Sequence, residues 1–269
     1  MAVNAIDFFI WEDEETYHEQ SKSGKVLSSH MLMEFINSPK LYQKKITGAI
    51  SEKPRSAYTF GSACHKLILE GREAFDKEYI VSDGPVNEKT GQPYGATTKA
   101  YLDWKHSQTK EIISIADWAE VCKLNYSVQQ HKLASDLLQS GVAEAVVRTD
   151  YCGIQCQIKM DWFNPNYGIV DLKTTAELKW FEYDAKKFGY IKQLAFYQAV
   201  LKQQTGVEYP VNLIAVEKQE PYSTGVWNIY QSALDNARKD NEYHIKRLIK
   251  CKETMSFPTG YENLRYLGE

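Results

Sequence analysis

The chain has 269 residues, is 43% apolar and 13% aromatic, and carries a formal net charge of −3. A chain of this length buries roughly three quarters of the surface its unfolded form exposes, so it needs no disulfide or metal staple to fold. No run approaches the ~20 apolar residues of a membrane span, and the charge balance excludes a nucleic-acid binder that relies on global positive charge. Five cysteines, an odd number, and the opening MAVNAIDFFIWEDEE, with neither a basic segment nor a long apolar one, give the expectation of a reduced, cytoplasmic protein.

In chain order, residues 1–27 are expected to form a poorly ordered arm and residues 28–269 a single domain, since no Pro/Gly/Ser-rich linker or block of like charge divides them. Ser28 or Ser29 caps a helix through MLMEFINS that Pro39 ends or kinks. Lys40, Lys44, Lys45, Lys53 and Arg55 form a basic cluster, a pattern ordinarily read as a solvated helix face. A second helix spans residues 56–70, with Gly71 as its stop, and it places Gly61 and His65 on one face. DGPVNEKTGQPYGATT reads as an exposed loop, followed by helical patterns over 97–106 and 115–139 that Gly141 closes.

From Val142 the period changes to two. A strand over 143–150 is followed by a turn at Gly153, after which Ile154, Cys156, Ile158, Met160 and Trp162 alternate with Gln155, Gln157, Lys159 and Asp161. Asp161 thereby falls on the polar face. NPNYG makes the next turn and GIVDLKTT a third strand of an antiparallel meander. A helix over 181–204, the strand VNLIAVEKQ, a turn, the strand TGVWNIYQ and a last helix opened by a capping-box-like Ser232 and Asp235 complete the chain. The order predicts an α/β fold of the α+β mixed-sheet type, a central sheet flanked by helices.

In GIVDLKTT, Asp171 and Lys173 project to one face while Val170 and Leu172 point to the other. An isolated D-x-K is ordinarily a surface ion pair of little consequence. Here the strand is apolar on its other face and follows a strand whose acidic residue, Asp161, can be brought across from it, antiparallel neighbours lying about 5 Å apart. Two carboxylates so placed suit Mg²⁺, with Mn²⁺ able to substitute. Gln193 and Tyr197, four apart, stack on one helix face, by themselves a weak signal. His65 can offer a neutral imidazole to a metal, although a lone helical histidine is more often structural, and Glu144 is equally readable as an ordinary exposed strand glutamate. The cysteines and remaining histidines lack zinc-ligand spacing, and neither a Walker A loop nor a G-x-S-x-G elbow is present.

Taken in order, G-S-A-C-H (residues 61–65), Glu144, Asp161, D-L-K (171–173) and Q-L-A-F-Y (193–197) resemble the PD-(D/E)XK nucleases, in particular the branch with the RecE exonuclease domain, lambda-type exonuclease and the RecB and Cas4 nuclease modules. F-G-S-A-C-H-K-L-I-L-E-G and D-L-K-T-T are most similar to RecE-type phage or prophage proteins, and the expectation is a chain close to a bare nuclease domain, without their long N-terminal extension. The resemblance implies a restriction-endonuclease-like core. It also implies a Mg²⁺-dependent exonuclease that degrades linear double-stranded DNA from its ends, 5′ to 3′, leaving 3′ single-stranded tails for recombination. A ring-shaped homo-oligomer, trimer or tetramer, and a RecT-type annealing partner belong to the same expectation. Residue by residue, it makes His65, Asp161, Asp171 and the Leu172 backbone carbonyl metal ligands and Lys173 the group that positions or activates the attacking water. Glu144 becomes a further acidic member, and Gln193 and Tyr197 hold the DNA backbone or orient the lysine. Lys53 and Arg55, just before the His65 helix, are candidates to grip a terminal phosphate. The alternatives are an endonuclease or Cas4-like nuclease, whose four-cysteine iron–sulfur site the scattered cysteines do not match, and an inactive DNA-binding module of the same fold.

Overall fold

The computed structural model describes residues 5–50 and 56–266. Its elements in chain order are α1 (Glu14–Lys22), α2 (Ser29–Asn37), α3 (Pro39–Ile46), α4 (Ser56–His65), α5 (Gly71–Glu78), β1 (Tyr79–Val81), β2 (Val86–Asn87), β3 (Gln92–Pro93), α6 (Lys99–Ser107), β4 (Glu111–Ile113), α7 (Ile115–Gln130), α8 (Lys132–Leu137), β5 (Val142–Tyr151), β6 (Ile154–Asn164), β7 (Gly168–Thr175), α9 (Phe181–Lys187), α10 (Tyr190–Thr205), β8 (Val211–Glu217), β9 (Thr224–Asn228) and α11 (Gln231–Thr254). The central sheet runs β5-β6-β7-β8-β9, with only the β7–β8 pair parallel. That parallel pair requires a crossover, which α9 and α10 provide.

Two apolar layers sandwich the sheet, because β7 and β8 bury both faces. Ile169, Leu213 and Ala215 pack in a first layer with Leu32 and Phe35 of α2, the inner face of α10, and Ile245 and Leu248 of α11. Val170, Leu172, Ile214 and Val216 pack in a second layer with Cys64 of α4, Phe75 of α5 and Val121, Leu124 and Val128 of α7. Burying both faces explains why these strands read as nearly continuous apolar runs.

Local chemistry sets the helix ends. The Ser28 hydroxyl accepts the Met31 N–H, and Ser38 accepts the Leu41 N–H, so Pro39 closes α2 and opens α3 at its first position. Three expected helices are divided. His131 caps α8 by accepting the Ala134 N–H, which separates it from α7. Gly189, at φ +74°, separates α9 from α10. A π-helical turn at Lys66–Glu70 follows α4, and Gly71 begins α5 rather than ending a helix. The expected capping box of α11 does not form: Tyr230 is the cap residue, and the Gln231 side chain pairs with Gln198 and Asp235 instead.

Residues 5–27, expected to be loosely held, lie against the sheet. The Ile10 N–H bonds the Val146 carbonyl, and Leu27 exchanges two backbone bonds with Gln155 and Gln157. Phe9, Tyr17 and Leu27 are buried. Among the described residues no helix is long and apolar enough to cross a membrane.

Candidate active site

The expected alternation along the meander breaks at one level of the sheet. Cys156, Ile158 and Met160 face the first layer, but Trp162 packs against the second and Phe163 returns to the first. β5 inverts at the same level, with Ala145 and Val147 in the first layer and Ala143 against the second. The pairing register runs Ala143↔Trp162 and Ala145↔Met160, so Glu144 stands level with Asp161. Glu144 adopts φ +54°, a left-handed conformation that costs a non-glycine residue roughly 1–3 kcal/mol and that recurs at functional sites.

Beyond that level β6 and β7 part. Their ladder ends at Trp162↔Val170, and the Leu172 N–H that would continue it is taken by Asp161 Oδ2 at 2.9 Å. Extended residues turn their N–H and C=O to the same side, so the Leu172 carbonyl opens on the same gap. His65, at the C-terminal end of α4, reaches in from the second layer, its Nδ1 3.6 Å from Asp161 Oδ2. His65, Glu144 and Asp161 each contribute one ligand atom to a group whose members all lie within 4.8 Å of one another. Neutral imidazole nitrogen and two carboxylates are donors suited to a hard divalent cation that keeps some of its waters.

Asp171 and Lys173 do face one side, as expected, and β8 sets that side through Asp171↔Leu213 and Lys173↔Ala215. Asp171 is 1% exposed, and Lys173 Nζ approaches its Oδ2 to 2.6 Å. Lys173 thus supplies Oδ2 with a charge-assisted contact, while Asp171 Oδ1 is buried without a hydrogen-bond partner. A buried carboxylate oxygen without a partner, beside a carboxylate–imidazole cluster, is the feature that fits a cation, which would supply the missing partner. Burial, with Asp161 beside it and Lys173 opposing, pushes the Asp171 carboxyl up to about 6. Burial works against the charge on Lys173, but Asp171 and Asp161 hold it above the ordinary lysine value. Asp171 does not itself join the three-residue group.

Gln193 and Tyr197 lie on the inner face of α10, where the Gln193 amide donates to the Tyr197 hydroxyl at 3.1 Å. Asp161 and Asp171 both act on the buried Tyr197 hydroxyl, which burial holds well above its ordinary value. The surroundings of Gly61 are open, leaving α4 approachable there. Lys53 and Arg55 lie outside the described residues, while Lys40, Lys44 and Lys45 sit on α3. The five cysteines are free and two of them, Cys64 and Cys156, are buried.

Three residues of the site were not singled out from sequence. Lys159 Nζ lies 2.6 Å from Glu144 Oε2, the Tyr17 ring stands 5.8 Å from Lys159, and the Tyr190 ring stands 5.1 Å from Lys173 Nζ. Burial raises the Glu144 carboxyl; Lys159 opposes the rise and Asp161 adds to it. The signals were available for two of them: Lys159 shares the alternation that placed Asp161, and Tyr190 lies three and seven residues before Gln193 and Tyr197 on one helix face.

Residues 28–269 match the model of a family described as a PDDEXK-like domain of unknown function, DUF3799. The chain belongs to this family. The PDDEXK-like fold is shared with a solved structure described as a "putative exonuclease" from Eubacterium rectale, at 18% identity and a TM-score of 0.67, over 97% of each chain. A second solved structure, LHK-Exo in complex with dAMP, aligns over 58% of this chain and 79% of its own at 14% identity and a TM-score of 0.31. No curated protein sequence matches the chain.

Proposed function

We propose that this DUF3799 protein is a Mg²⁺-dependent exodeoxyribonuclease that degrades linear double-stranded DNA from its ends. The observation that carries the reading is the convergence of His65, Glu144 and Asp161 within 4.8 Å at the point where β6 and β7 part, with the buried Asp171–Lys173 pair beside it. Family membership and the fold shared with the Eubacterium rectale chain support it.

On this reading His65, Asp161, Asp171 and the Leu172 carbonyl hold the cation, with Glu144 as a further acidic member. When bound, the cation would offset the charge of the phosphodiester and make water a better nucleophile near neutral pH. Lys173, kept charged by Asp171, donates to the attacking water or the scissile phosphate and fixes its position. Lys159 holds Glu144 in place, and Gln193 with Tyr197, on the inner face of α10, orients the Asp171–Lys173 pair. Polarity from 5′ to 3′, release of 3′ single-stranded tails, a trimeric or tetrameric ring, action in the cytoplasm and partnership with a RecT-type annealing protein complete the proposal; they rest on the RecE-type motifs.

The test is to incubate the purified protein with linear and with covalently closed duplex DNA, each with Mg²⁺ or EDTA, and to follow acid-soluble nucleotide from end-labelled strands. Mg²⁺-dependent loss of linear DNA alone, from 5′ ends, is expected, and Asp161→Ala should abolish it. Cutting of closed circles would replace the exonuclease by an endonuclease. Absence of degradation with either Mg²⁺ or Mn²⁺ would leave a non-catalytic DNA-binding module.

A further inference from the structure

Immediately after β7 the chain presents a run of aromatic and basic residues to solvent. Phe181 and Ala185 of α9 turn inward and are buried, Tyr183 and Lys187 lie on its other side, and Trp180 and Phe188 flank the helix at its N- and C-terminal ends. Trp180 is 57% exposed, Tyr183 63% and Phe188 57%. Single exposed aromatics are ordinary; what is informative here is that one stands on α9 and one at each end of it, three exposed rings within nine residues of chain where polar residues are expected.

The run is continuous with the candidate active site. Lys179 lies 5.7 Å from the Trp180 ring, and Lys187 lies 5.9 Å from the Tyr183 ring and 5.4 Å from that of Phe188. The Phe188 ring centroid is 6.0 Å from that of Tyr190, whose ring in turn stands 5.1 Å from Lys173 Nζ. Of the neighbouring acids, Glu177 is paired with Lys179, Glu182 accepts from the Trp227 indole and Asp184 is half-buried, while Lys186 and Lys187 carry exposed positive charge. Aromatic faces interleaved with ammonium groups are the chemistry that holds a single polynucleotide strand, the rings stacking on bases and the lysines following phosphates. A protein interface is the poorer match, because lysine is depleted at interface cores.

We infer that Trp180, Tyr183, Lys187 and Phe188 form a stacking platform for a single DNA strand that leads to or from Lys173. The inference rests on the nuclease reading for its direction but not for its measurement. Anisotropy of a fluorescein-labelled oligothymidylate, recorded in EDTA so that no hydrolysis intervenes, should show W180A/Y183A/F188A binding about a hundredfold more weakly than the parent, each lost stack counting about fivefold. W180F, which keeps a ring, should stay within about threefold of the parent, and W180A alone should fall below it. Mg²⁺-dependent hydrolysis of linear duplex by the parent protein is measured alongside. Hydrolysis together with unchanged strand affinity in the triple variant would overturn the platform and leave the nuclease reading standing. Affinity lost in the triple variant, with no hydrolysis by the parent, would support the platform and remove the nuclease reading. Self-association abolished in the triple variant with strand affinity intact would assign the surface to a second copy of the chain and overturn the inference.

Discussion

Asp171 is the one carboxylate-bearing residue in the buried set among the described residues, and its only cationic neighbour at contact distance is Lys173, 2.6 Å away. Deleting the ammonium while keeping the stem, as in Lys173→Met, leaves Asp171 without its counter-charge. A carboxyl already raised to about 6 then takes up a proton rather than remaining a bare buried charge. The cost is therefore that of an unsatisfied polar group, about 1–3 kcal/mol, and not the larger penalty of an unpaired ion. Lys173→Met is expected to melt a few degrees lower, to stay folded, to bind duplex DNA in EDTA nearly as the parent does, and to lose Mg²⁺-dependent cleavage; parental turnover would remove Lys173 from the mechanism. Asp161, Asp171 and Lys173 were legible in sequence because a two-residue period fixes which side chains share a face. The level at which β5 and β6 both invert was not legible, since it depends on the left-handed backbone at Glu144, a residue type that gives no sign of it.

At the scale of elements, the position of Asp171 depends on how β7 enters the sheet. Gly168 sits at φ +80°, and a Cβ there would stand 2.2 Å from the Pro210 carbonyl oxygen, the same oxygen that accepts the Ile169 N–H. The obstacle is backbone and cannot rotate away. Gly168→Ala combines a left-handed alanine, about 1–2 kcal/mol, with overpacking of about 1–3 kcal/mol, and the melting temperature should fall by roughly 5–15 °C. Because the β7–β8 register starts at Ile169↔Val211, two residues before Asp171, cleavage per folded molecule should fall as well. An unchanged melting curve would show that Pro210 yields. Of the central strands, β5 and β6 were readable from alternation, β7 and β8 from short apolar runs, and the turns between them from residues such as Gly153 and NPNYG. The breaks at His131 and Gly189 were not, because the apolar period runs on through them and only the cap geometry marks the division.

For the whole molecule, residues 5–27 complete the sheet where its own strands leave it open. β6 loses β7 as a partner beyond Trp162, and Leu27 takes the vacated edge; Ile10 covers part of the edge of β5. Gln157, fully buried, donates to the Tyr17 carbonyl and to Ser21 Oγ, and Arg148 pairs with Glu12. We propose that residues 1–27 belong to the same folding unit as residues 28–269. A chain beginning at residue 28 should melt on the order of 10 °C lower and aggregate through its bared edges, as judged by thermal melts and light scattering. Parental melting and solubility would make the segment a dispensable arm.

The same contacts join positions far apart in time as well as in sequence. Gln157 lies 140 residues after Tyr17 and 136 after Ser21. At about 5–20 residues per second, the ribosome delivers the acceptor strand on the order of ten seconds after the segment it must receive. During that interval Phe9, Tyr17 and Leu27 have no sheet to dock on, and a stretch of chain made well before its acceptor strand is among the last to reach its seat.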